Sequence, residues 1–251
     1  MDDRVRWVVV TGGSRGIGRS TVERLLADGC GVIATSRQPD GCDEHITGGE
    51  ADRYRFLKWD LSDVDSIQQY ADQVIAEVGP IAGLVHCAGT QLTVPLGMSK
   101  PSDVAGLFAI NTFAAIELVR CFSRRPAVDE RGAAFVLISS IGAHEGAMGK
   151  AAYAASKGAL EGFLRAAAAE LVPRHVRLNV IVPGMIDTDM MREFVDRMDA
   201  TQRAALENSY PLGIGKPEDV ADLISFLLSD RAKWISGQSF VIDGGHLSRR
   251  S

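Results

Sequence analysis

Two kinds of segment alternate along the chain. Short, apolar and often β-branched runs recur at residues 8–10, 31–34, 56–57, 83–85, 134–138, 176–182 and 240–242. Between most of these runs lie longer stretches in which apolar residues recur with helical spacing. The helical stretches are residues 17–28, 65–78, 104–122, 151–171 and 219–228. Continuous apolar runs are typical of strands buried on both faces, and helices between them are typical of a parallel sheet.

This alternation predicts an α/β fold built on a seven-stranded parallel sheet. Right-handed crossovers place helices on both faces and produce a doubly wound, Rossmann-type sheet, with a ligand crevice at the carboxyl ends of the strands. The sequence contains no repeat of 20–50 residues, no low-complexity tract and no linker. We therefore expect a single domain that spans residues 1–251.

The least regular region is residues 184–217. It holds the turn-forming segments 183–184, 211–213 and 215–217, and its middle, residues 189–208, is rather polar with helical spacing. A long excursion between two strands of a compact domain is often functional. We expect a substrate lid at about residues 185–216; a structural excursion without motion is the alternative.

Composition and charge narrow the class of protein. Net charge is −5, 46% of residues are hydrophobic and 24% are charged, and no long basic run is present, which disfavours a nucleic-acid partner. We expect no secretory signal, because residues 1–4 lead directly into an apolar strand. We expect no membrane span, because no apolar run approaches about 20 residues. The cysteines are scattered and include no CxxC pair: Cys30, Cys42, Cys87 and Cys121. We therefore expect a reduced, cytoplasmic protein without metal, although zinc or disulfide pairing stays open.

A glycine-rich turn follows the first predicted strand. Residues 11–18 read Thr-Gly-Gly-Ser-Arg-Gly-Ile-Gly and lead directly into a helical pattern. Glycines allow a tight turn and close backbone approach, and a helix N-terminus suits a pyrophosphate. In isolation the motif could be an ordinary turn; in this position it predicts dinucleotide binding. The expected contacts are Gly12, Ser14, Arg15, Gly16, Ile17 and Gly18.

The end of the second predicted strand indicates which dinucleotide is bound. It reads Thr35-Ser36-Arg37, and no acidic residue follows before Asp40. An acidic residue there usually accepts from the ribose 2′-hydroxyl of NAD, whereas arginines suit the 2′-phosphate of NADP. Arg15 and Arg37 therefore predict NADP(H) in preference to NAD(H), against the alternative that both are ordinary surface arginines.

A tyrosine and a lysine one helical turn apart carry the clearest catalytic signal. Tyr153 and Lys157 are at i and i+4 of a small-residue helix and so share one face. A nearby cation lowers the pKa of a phenol, which makes it a usable general acid near neutral pH. Ser140 closes a predicted strand 13 residues upstream, and Asn111 interrupts an apolar helix face. Separately, Ser140 could be a cap and Asn111 a satisfied buried amide.

Together these motifs resemble the short-chain dehydrogenase/reductases, in the compact form close to 3-oxoacyl-carrier-protein reductases, over about residues 5–245. The family pattern matches the glycine turn, an Asp-Leu pair for adenine, an Ala-Gly pair, the catalytic tetrad and the closing segment 242–245. The resemblance implies cofactor contacts at Asp60, Leu61, Ala88, Gly89, Tyr153, Lys157, Pro183, Gly184, Ile186 and Thr188. It implies the tetrad Asn111, Ser140, Tyr153 and Lys157.

The resemblance also implies a role for each residue of the tetrad. Tyr153 would give a proton to the carbonyl oxygen as hydride arrives, or remove it in the oxidative direction. Lys157 would lower the pKa of Tyr153 and bind the nicotinamide ribose. Ser140 would orient the substrate oxygen, and Asn111 would hold a water in a proton relay.

One segment departs from the family pattern. The usual Asn-Asn-Ala-Gly is His86-Cys87-Ala88-Gly89 here, so amide support at position 87 is lost. We expect His86 to be a buried or hydrogen-bonded residue at a strand end rather than a catalytic one. His144 follows the serine in a loop on the substrate side; we hypothesise a substrate contact, against simple exposure.

The predicted function is reduction of a ketone or 3-oxoacyl-type carbonyl, with a small molecule or an acyl thioester as substrate. The alternatives are an alcohol, polyol, steroid or sugar dehydrogenase running oxidatively, and a non-catalytic dinucleotide-binding module. The resemblance implies a homotetramer or homodimer. Methionines that suit an apolar substrate, or alternatively fill space between helices, are Met148, Met185, Met190, Met191 and Met198. Arginines available to an acyl carrier partner are Arg124, Arg125, Arg192 and Arg197.

Overall fold

A seven-stranded parallel sheet forms the centre of the protein. The computed structural model describes residues 5–39, 46, 48–196 and 198–248. The strands are β1 (Trp7–Thr11), β2 (Gly31–Ser36), β3 (Tyr54–Lys58), β4 (Gly83–His86), β5 (Ala133–Ile138), β6 (Val176–Pro183) and β7 (Ser239–Ile242). Their order is β3-β2-β1-β4-β5-β6-β7. The predicted α/β fold class and all seven predicted strands are confirmed.

Helices cover both faces of this sheet. They are α1 (Gly16–Ala27), α2 (Ile67–Val78), α3 (Pro101–Phe108), α4 (Ala114–Phe122), α5 (Ala151–Leu171), α6 (Asp189–Val195), α7 (Ala200–Asn208) and α8 (Pro217–Leu228). Helices α2, α4 and α5 contribute to one apolar core, which contains Tyr70, Phe122 and Leu160. Helices α1 and α8 contribute to a second core on the opposite face, which contains Leu25 and Ile224. The central strands are therefore buried on both sides, as their apolar sequences predict.

The strand order positions a crevice above β1 and β4. Strands β2 and β3 lie on one side of β1, and β4 to β7 lie on the other. The chain therefore leaves β1 and β4 in opposite directions, which separates the loops that follow them. Thr11 pairs in register with both Thr35 and His86, so the ends of these three strands are level.

Two predicted helices are interrupted in the structure. The helix predicted over residues 104–122 contains a π-helical segment, Ala109–Phe113, which joins α3 to α4. The stretch over residues 189–208, in which the sequence predicts helical structure, forms two helices, α6 and α7. Asp199 starts α7 with a capping box, in which its carboxylate accepts from the backbone N–H of Gln202 at 2.8 Å. A capping aspartate favours a new helix start over continuation of the previous helix.

The helical run Pro101–Phe122 is also more apolar than the sequence analysis expected. By length and composition alone it passes the threshold for a membrane-spanning helix, with a mean hydropathy of 1.5. Leu107, Leu118 and Phe122 are buried, and the run packs against α2, β4 and α5. Its apolar composition is accounted for by this packing, because a helix in contact with the core needs an apolar face.

Phe135 tests the contribution of the sheet core to stability. Its side chain is fully buried in β5, between Leu84 of β4 and Leu178 of β6. Phe135→Ala is expected to lower the free energy of unfolding by about 3–5 kcal/mol, because it removes apolar contacts and leaves a cavity. Urea denaturation followed by circular dichroism measures this loss. Val241→Ala on the edge strand β7, where the side chain is half exposed, is the control and is expected to cost less than about 1 kcal/mol. Equal losses in the two variants would contradict this assignment of the core.

Candidate active site

A cleft of about 650 Å³ lies at the carboxyl ends of the strands. It is lined by residues from the turn after β1, the ends of β2, β4 and β5, helix α5 and the segment after β6. Of the site residues predicted from the sequence, those that line it are Gly12, Ser14, Arg15, Gly16, Ile17, Gly18, Arg37, Leu61, Ala88, Gly89, Ser140, Tyr153, Lys157, Pro183, Gly184, Ile186 and Thr188. Asn111 and Asp60 are not among the lining residues.

The glycine-rich turn packs directly against the loop after β4. Gly12 has a φ of +66°, and a Cβ atom there would lie 2.7 Å from the backbone nitrogen of Ala88. No side chain other than hydrogen fits that approach. Arg15 is the N-cap of α1, and its side chain does not cap the helix. The N-terminus of α1 therefore faces the cleft with backbone N–H groups that suit an anionic group.

The two predicted arginines both line the cleft, in the loops that follow the neighbouring strands β1 and β2. Arg15 and Arg37 are both exposed cleft residues. The carboxylate of Asp60 accepts from the backbone and side chain of Ser62 at 3.0 and 2.7 Å, and the expected adenine contact of Asp60 stays a prediction. These hydrogen bonds, with a smaller contribution from Arg37, lower the pKa of Asp60. Its side chain is thus engaged in a local turn. Trp59, which the sequence analysis did not select, lines the cleft beside Leu61.

Helix α5 brings the tyrosine and the lysine into the cleft. Lys157 is buried, and its ammonium donates to the carbonyl oxygen of Ile138 at the end of β5 over 2.8 Å. Burial lowers the pKa of Lys157 to about 8. Burial also raises the pKa of the Tyr153 phenol, and a hydrogen bond with Ser140 opposes that rise. In this arrangement it is Ser140 that acts directly on the phenol; the effect of Lys157 on the pKa of Tyr153 stays a prediction.

Ser140 and Ser139 have distinct partners. The Ser140 hydroxyl accepts from the backbone N–H of Gly142 at 3.1 Å and bonds to Tyr153, so it is held at the cleft. The Ser139 hydroxyl instead donates to the carbonyl oxygen of Lys157 and to the carboxylate of Glu161. The geometry therefore places Ser140, rather than Ser139, beside the phenol.

Asn111 is fully buried behind the cleft and hydrogen-bonds two segments of the chain to each other. It lies in the π-helical segment, and its side chain exchanges two hydrogen bonds of 2.9 Å with the backbone of Thr90. Its amide nitrogen also donates to the hydroxyl of Ser156 at 3.0 Å. A Cβ atom on Gly89 would lie 3.1 Å from the Asn111 oxygen and 3.3 Å from the Lys157 nitrogen. Asn111 thus ties the loop after β4 to α5, and the absence of a side chain at position 89 lets the lysine approach.

Comparison with known proteins identifies the family. The family model described as Enoyl-(Acyl carrier protein) reductase matches residues 12–246. A 3-oxoacyl-(acyl-carrier-protein) reductase of Salmonella typhimurium is 32% identical over 238 residues, which cover 94% of this chain and 95% of that protein. Carbonyl reductase family member 4 of Danio rerio is 31% identical over 241 residues, or 96% of this chain and 97% of that protein. A solved structure of a short-chain type dehydrogenase/reductase from Mycobacterium ulcerans is 31% identical, with a TM-score of 0.88 and coverage of 100% and 93%.

The chain belongs to the short-chain dehydrogenase/reductase family. It is an oxidoreductase, and the suspected family resemblance is confirmed over nearly the whole chain. Within this dehydrogenase/reductase, several residues outside the family pattern have contacts that the sequence could not specify.

His86 is a buried structural histidine, as expected. One ring nitrogen lies 2.9 Å from the hydroxyl of Thr11 and the other 3.2 Å from the carbonyl oxygen of Ile110. Burial, assisted by the positive charge of Lys157, lowers the pKa of His86 to about 3. The imidazole is therefore neutral near pH 7 and connects β1 and β4 to the π-helical segment. Its neighbour Cys87 lines the cleft, and burial raises the pKa of its thiol to about 12, so the thiol is not a nucleophile near pH 7.

His144, for which we hypothesised a substrate contact, is paired with a carboxylate on α5. Its imidazole lies 3.0 Å from both carboxylate oxygens of Glu161 on α5, and His144 is not among the residues that line the cleft. The next residue, Glu145, lines the cleft and lies 2.9 Å from His246 near the end of the described chain. The His246 ring stacks on Tyr210 at 4.5 Å. The sequence carried no signal for this contact, because it joins residues 101 positions apart.

The segment after β6 is anchored at its base and covers one end of the cleft. Ile186 forms a β-bridge with Gly215, and the hydroxyl of buried Tyr210 accepts from the backbone N–H of Met185 at 3.1 Å. The predicted methionines divide into two groups. Met185, Met190 and Met191 line the cleft, whereas Met148 is almost fully exposed and Met198 is not a lining residue.

The arginines that are available to an acyl carrier partner do not form one surface within the described residues. Arg124 and Arg125 follow α4 and precede β5, at the amino ends of the strands and so opposite the cleft, where Arg124 pairs with Asp72 at 3.2 Å. Arg192 lies on α6 and pairs with Asp187 at 3.0 Å. Arg197 lies outside the described residues. Across the part of the chain that the structure describes, no cluster of three potential metal ligands occurs.

His86 predicts a measurable pH dependence of stability. The unfolded chain binds a proton at His86 below about pH 6.5, whereas the folded protein does not until about pH 3. The free energy of unfolding therefore falls as pH falls, and His86 contributes about 2 kcal/mol of this loss between pH 8 and pH 5. His86→Gln, which keeps a donor and an acceptor, is expected to remove that contribution. Urea denaturation at pH 5, 6.5 and 8 measures it, with exposed His175→Gln as the control. An unchanged pH dependence in His86→Gln would rule out a buried neutral imidazole.

Proposed function

We propose that this dehydrogenase/reductase reduces a ketone or 3-oxoacyl-type carbonyl to a secondary alcohol, with NADP(H) as its cofactor. The observation that carries the proposal is the hydrogen-bonded pair Ser140 and Tyr153, which shares a cleft with Lys157 and with the turn at the start of α1. The relatives from Salmonella typhimurium and Danio rerio are named as a 3-oxoacyl-(acyl-carrier-protein) reductase and a carbonyl reductase, which supports the same direction.

The residues present fit a dinucleotide. The first turn of α1 offers backbone N–H groups to a pyrophosphate, and the guanidinium groups of Arg15 and Arg37 suit a 2′-phosphate. Leu61 and Trp59 provide apolar surface beside them. Bound nicotinamide supplies or accepts the hydride. Lys157, Pro183, Gly184, Ile186 and Thr188 line the cleft where they would hold the nicotinamide end.

Each catalytic side chain transfers a proton, stabilises a charge or positions the groups that do so. Tyr153 gives its phenolic proton to the substrate oxygen as negative charge develops there, and takes it back in the oxidative direction. Ser140 is held by Gly142 and donates to the oxygen that develops charge. Lys157 keeps a positive charge beneath the cleft, which favours the phenolate once Tyr153 has lost its proton. Asn111 holds the loop and helix that position these groups.

Three further features belong to this proposal. Residues 1–251 form a single dinucleotide-binding and catalytic domain, because the sheet takes in strands from residue 7 to residue 242. Residues 185–216 act as a substrate lid, because α6 contributes Met190, Met191 and Phe194 to the cleft. The enzyme is a cytoplasmic homotetramer or homodimer that associates through the helices carrying Asn111 and Tyr153, where Phe113 is half exposed.

Removal of one hydroxyl tests the catalytic assignment. Tyr153→Phe is expected to lower kcat by a factor of about 10²–10⁴, because it removes the general acid. Binding of NADPH, measured by fluorescence titration, is expected to change little. Tyr70→Phe, which removes a buried phenol of the core, is the matched control and keeps kcat. Retained turnover in Tyr153→Phe would refute this mechanism, and a wild-type protein that binds NADPH without reducing any carbonyl of a substrate panel would favour the non-catalytic module.

Cofactor preference tests the arginine pair. The wild-type enzyme is expected to show a higher kcat/KM with NADPH than with NADH, because only NADPH carries the 2′-phosphate. Arg37→Ala and Arg15→Ala are each expected to reduce that ratio by about tenfold or more, since each removes a charge-assisted hydrogen bond. Arg19→Ala on α1, where Arg19 pairs with Glu23 at 2.9 Å, is the control. A clear NADH preference in the wild type would overturn this assignment.

A further inference from the structure

Helix α5 carries a third polar side chain in line with Tyr153 and Lys157. Glu161 follows Lys157 by four residues, so the three side chains lie along one face of the helix. Only 17% of the Glu161 side chain is exposed. A carboxylate that is largely shielded from water needs hydrogen-bond donors in the protein. The donors that Glu161 binds therefore indicate its role.

Both donors lie in the loop that carries Ser140. The hydroxyl of Ser139, one residue before Ser140, lies 3.0 Å from Glu161 Oε1, and Nε2 of His144 lies 3.0 Å from the same oxygen. The Nε2 atom is also 3.0 Å from Glu161 Oε2. A carboxylate only accepts hydrogen bonds, so Nε2 of His144 carries the hydrogen. Glu161 therefore holds this loop at both of its ends.

Between these two anchors the loop packs on the same helix. A Cβ atom on Gly142 would lie 3.4 Å from the Tyr153 ring. A Cβ atom on Gly158 would lie 3.7 Å from the side chain of Ala143. The Ser140 hydroxyl accepts from the backbone N–H of Gly142 and bonds to the Tyr153 phenol. The place of this hydroxyl beside the phenol thus depends on where the loop lies along α5.

We propose that Glu161 is a positioning residue for catalysis, which holds the Ser140 hydroxyl in place beside the Tyr153 phenol. This proposal rests on the proposed reductase function and adds a residue to it. Glu161 is not among the residues that line the cleft, so it acts through the loop rather than on the substrate. A displacement of about 1 Å in a reacting group can lower a rate by about hundredfold. A short loop that is fixed at both ends limits such displacement.

Two substitutions of Glu161 test its hydrogen bonds, with ethyl 3-oxobutanoate as the carbonyl probe and NADPH as the cofactor. One oxygen accepts from both Ser139 and His144, so the amide oxygen of Glu161→Gln can keep both bonds, and kcat is expected to stay within about threefold. Glu161→Leu removes both bonds and is expected to lower kcat by about tenfold or more, with KM for NADPH within about twofold. Glu170→Leu, at an exposed position of the same helix, is the control and is expected to keep kcat. An equal loss in Glu161→Gln and Glu161→Leu would overturn the proposal.

A double-mutant cycle separates positioning of Ser140 from general support of the fold. Ser140→Ala removes the hydroxyl that Glu161 holds and is expected to lower kcat by about 10²–10³. Adding Glu161→Leu to Ser140→Ala is then expected to change kcat by less than about twofold, because the group to be positioned is already absent. A further tenfold loss in the double variant, or an unchanged kcat in Glu161→Leu alone, would contradict the assignment. If circular dichroism shows that Glu161→Leu does not fold, Ser139→Ala combined with His144→Ala replaces it in the same cycle, since this pair leaves α5 unaltered.

Hydrogen exchange of the loop gives a readout that does not require turnover. The backbone N–H groups of Ala143 and His144 donate to the carbonyl oxygens of Ser140 and Ile141 over 3.0 and 2.7 Å. In Glu161→Leu these two amides are expected to exchange at least about fivefold faster than in the wild type, while the amides of β5 stay unchanged. If the wild type reduces no carbonyl probe, the reductase function fails and this measurement decides the role of Glu161 by itself. Faster exchange confined to the loop would support it, and unchanged exchange would overturn it.

Discussion

An ammonium group buried beneath the cleft is the constraint on which the rest of the site depends. A charged group removed from water is costly unless hydrogen-bond acceptors and shape are provided for it. Lys157 donates to the carbonyl oxygen of Ile138, where β5 ends and the loop carrying Ser140 begins. Gly89 leaves room for the ammonium, and the amide of Asn111 holds the Gly89 loop against α5. One buried lysine is therefore accommodated only when four elements are correctly placed relative to one another: strands β4 and β5, the π-helical segment and α5.

The sheet explains why this arrangement forms where it does. Strand β1 lies between β2 and β4, so the chain leaves β1 and β4 in opposite directions and opens a crevice between their loops. The neutral imidazole of His86 closes the base of that crevice through Thr11 and Ile110. A histidine at this position is compatible with the family fold because burial keeps it uncharged. At this departure from the usual family segment, the imidazole of His86 makes the local hydrogen bonds that join β1 and β4 to the π-helical segment.

The two ends of the cleft are lined by different kinds of chemical group. The end near α1 presents backbone N–H groups, a close-packed glycine turn and exposed arginines, which suit an extended anion. The end near Tyr153 is lined by side chains from separate segments of the chain, and these side chains include Lys150, Phe194 and Glu145. Backbone recognition requires only the fold and a few glycines, whereas side-chain recognition depends on which residues the loops carry. We therefore expect substrate choice to depend on the second end.

The sequence by itself determined the fold class, the seven strands and the helix that carries Tyr153 and Lys157, because these follow from local spacing and from burial on one or both faces. The tertiary structure alone decided the break between α6 and α7, the buried hydrogen bonds of Asn111, the partner of His144 and the separation of Arg124 from Arg192. It also decided the contact between Gln91 and Lys150, which are 59 residues apart. Periodicity reports which face of an element is buried, but it does not report which distant side chain lies opposite. Electrostatics and hydrogen bonds at the site depend on those distances, and only the folded chain sets them.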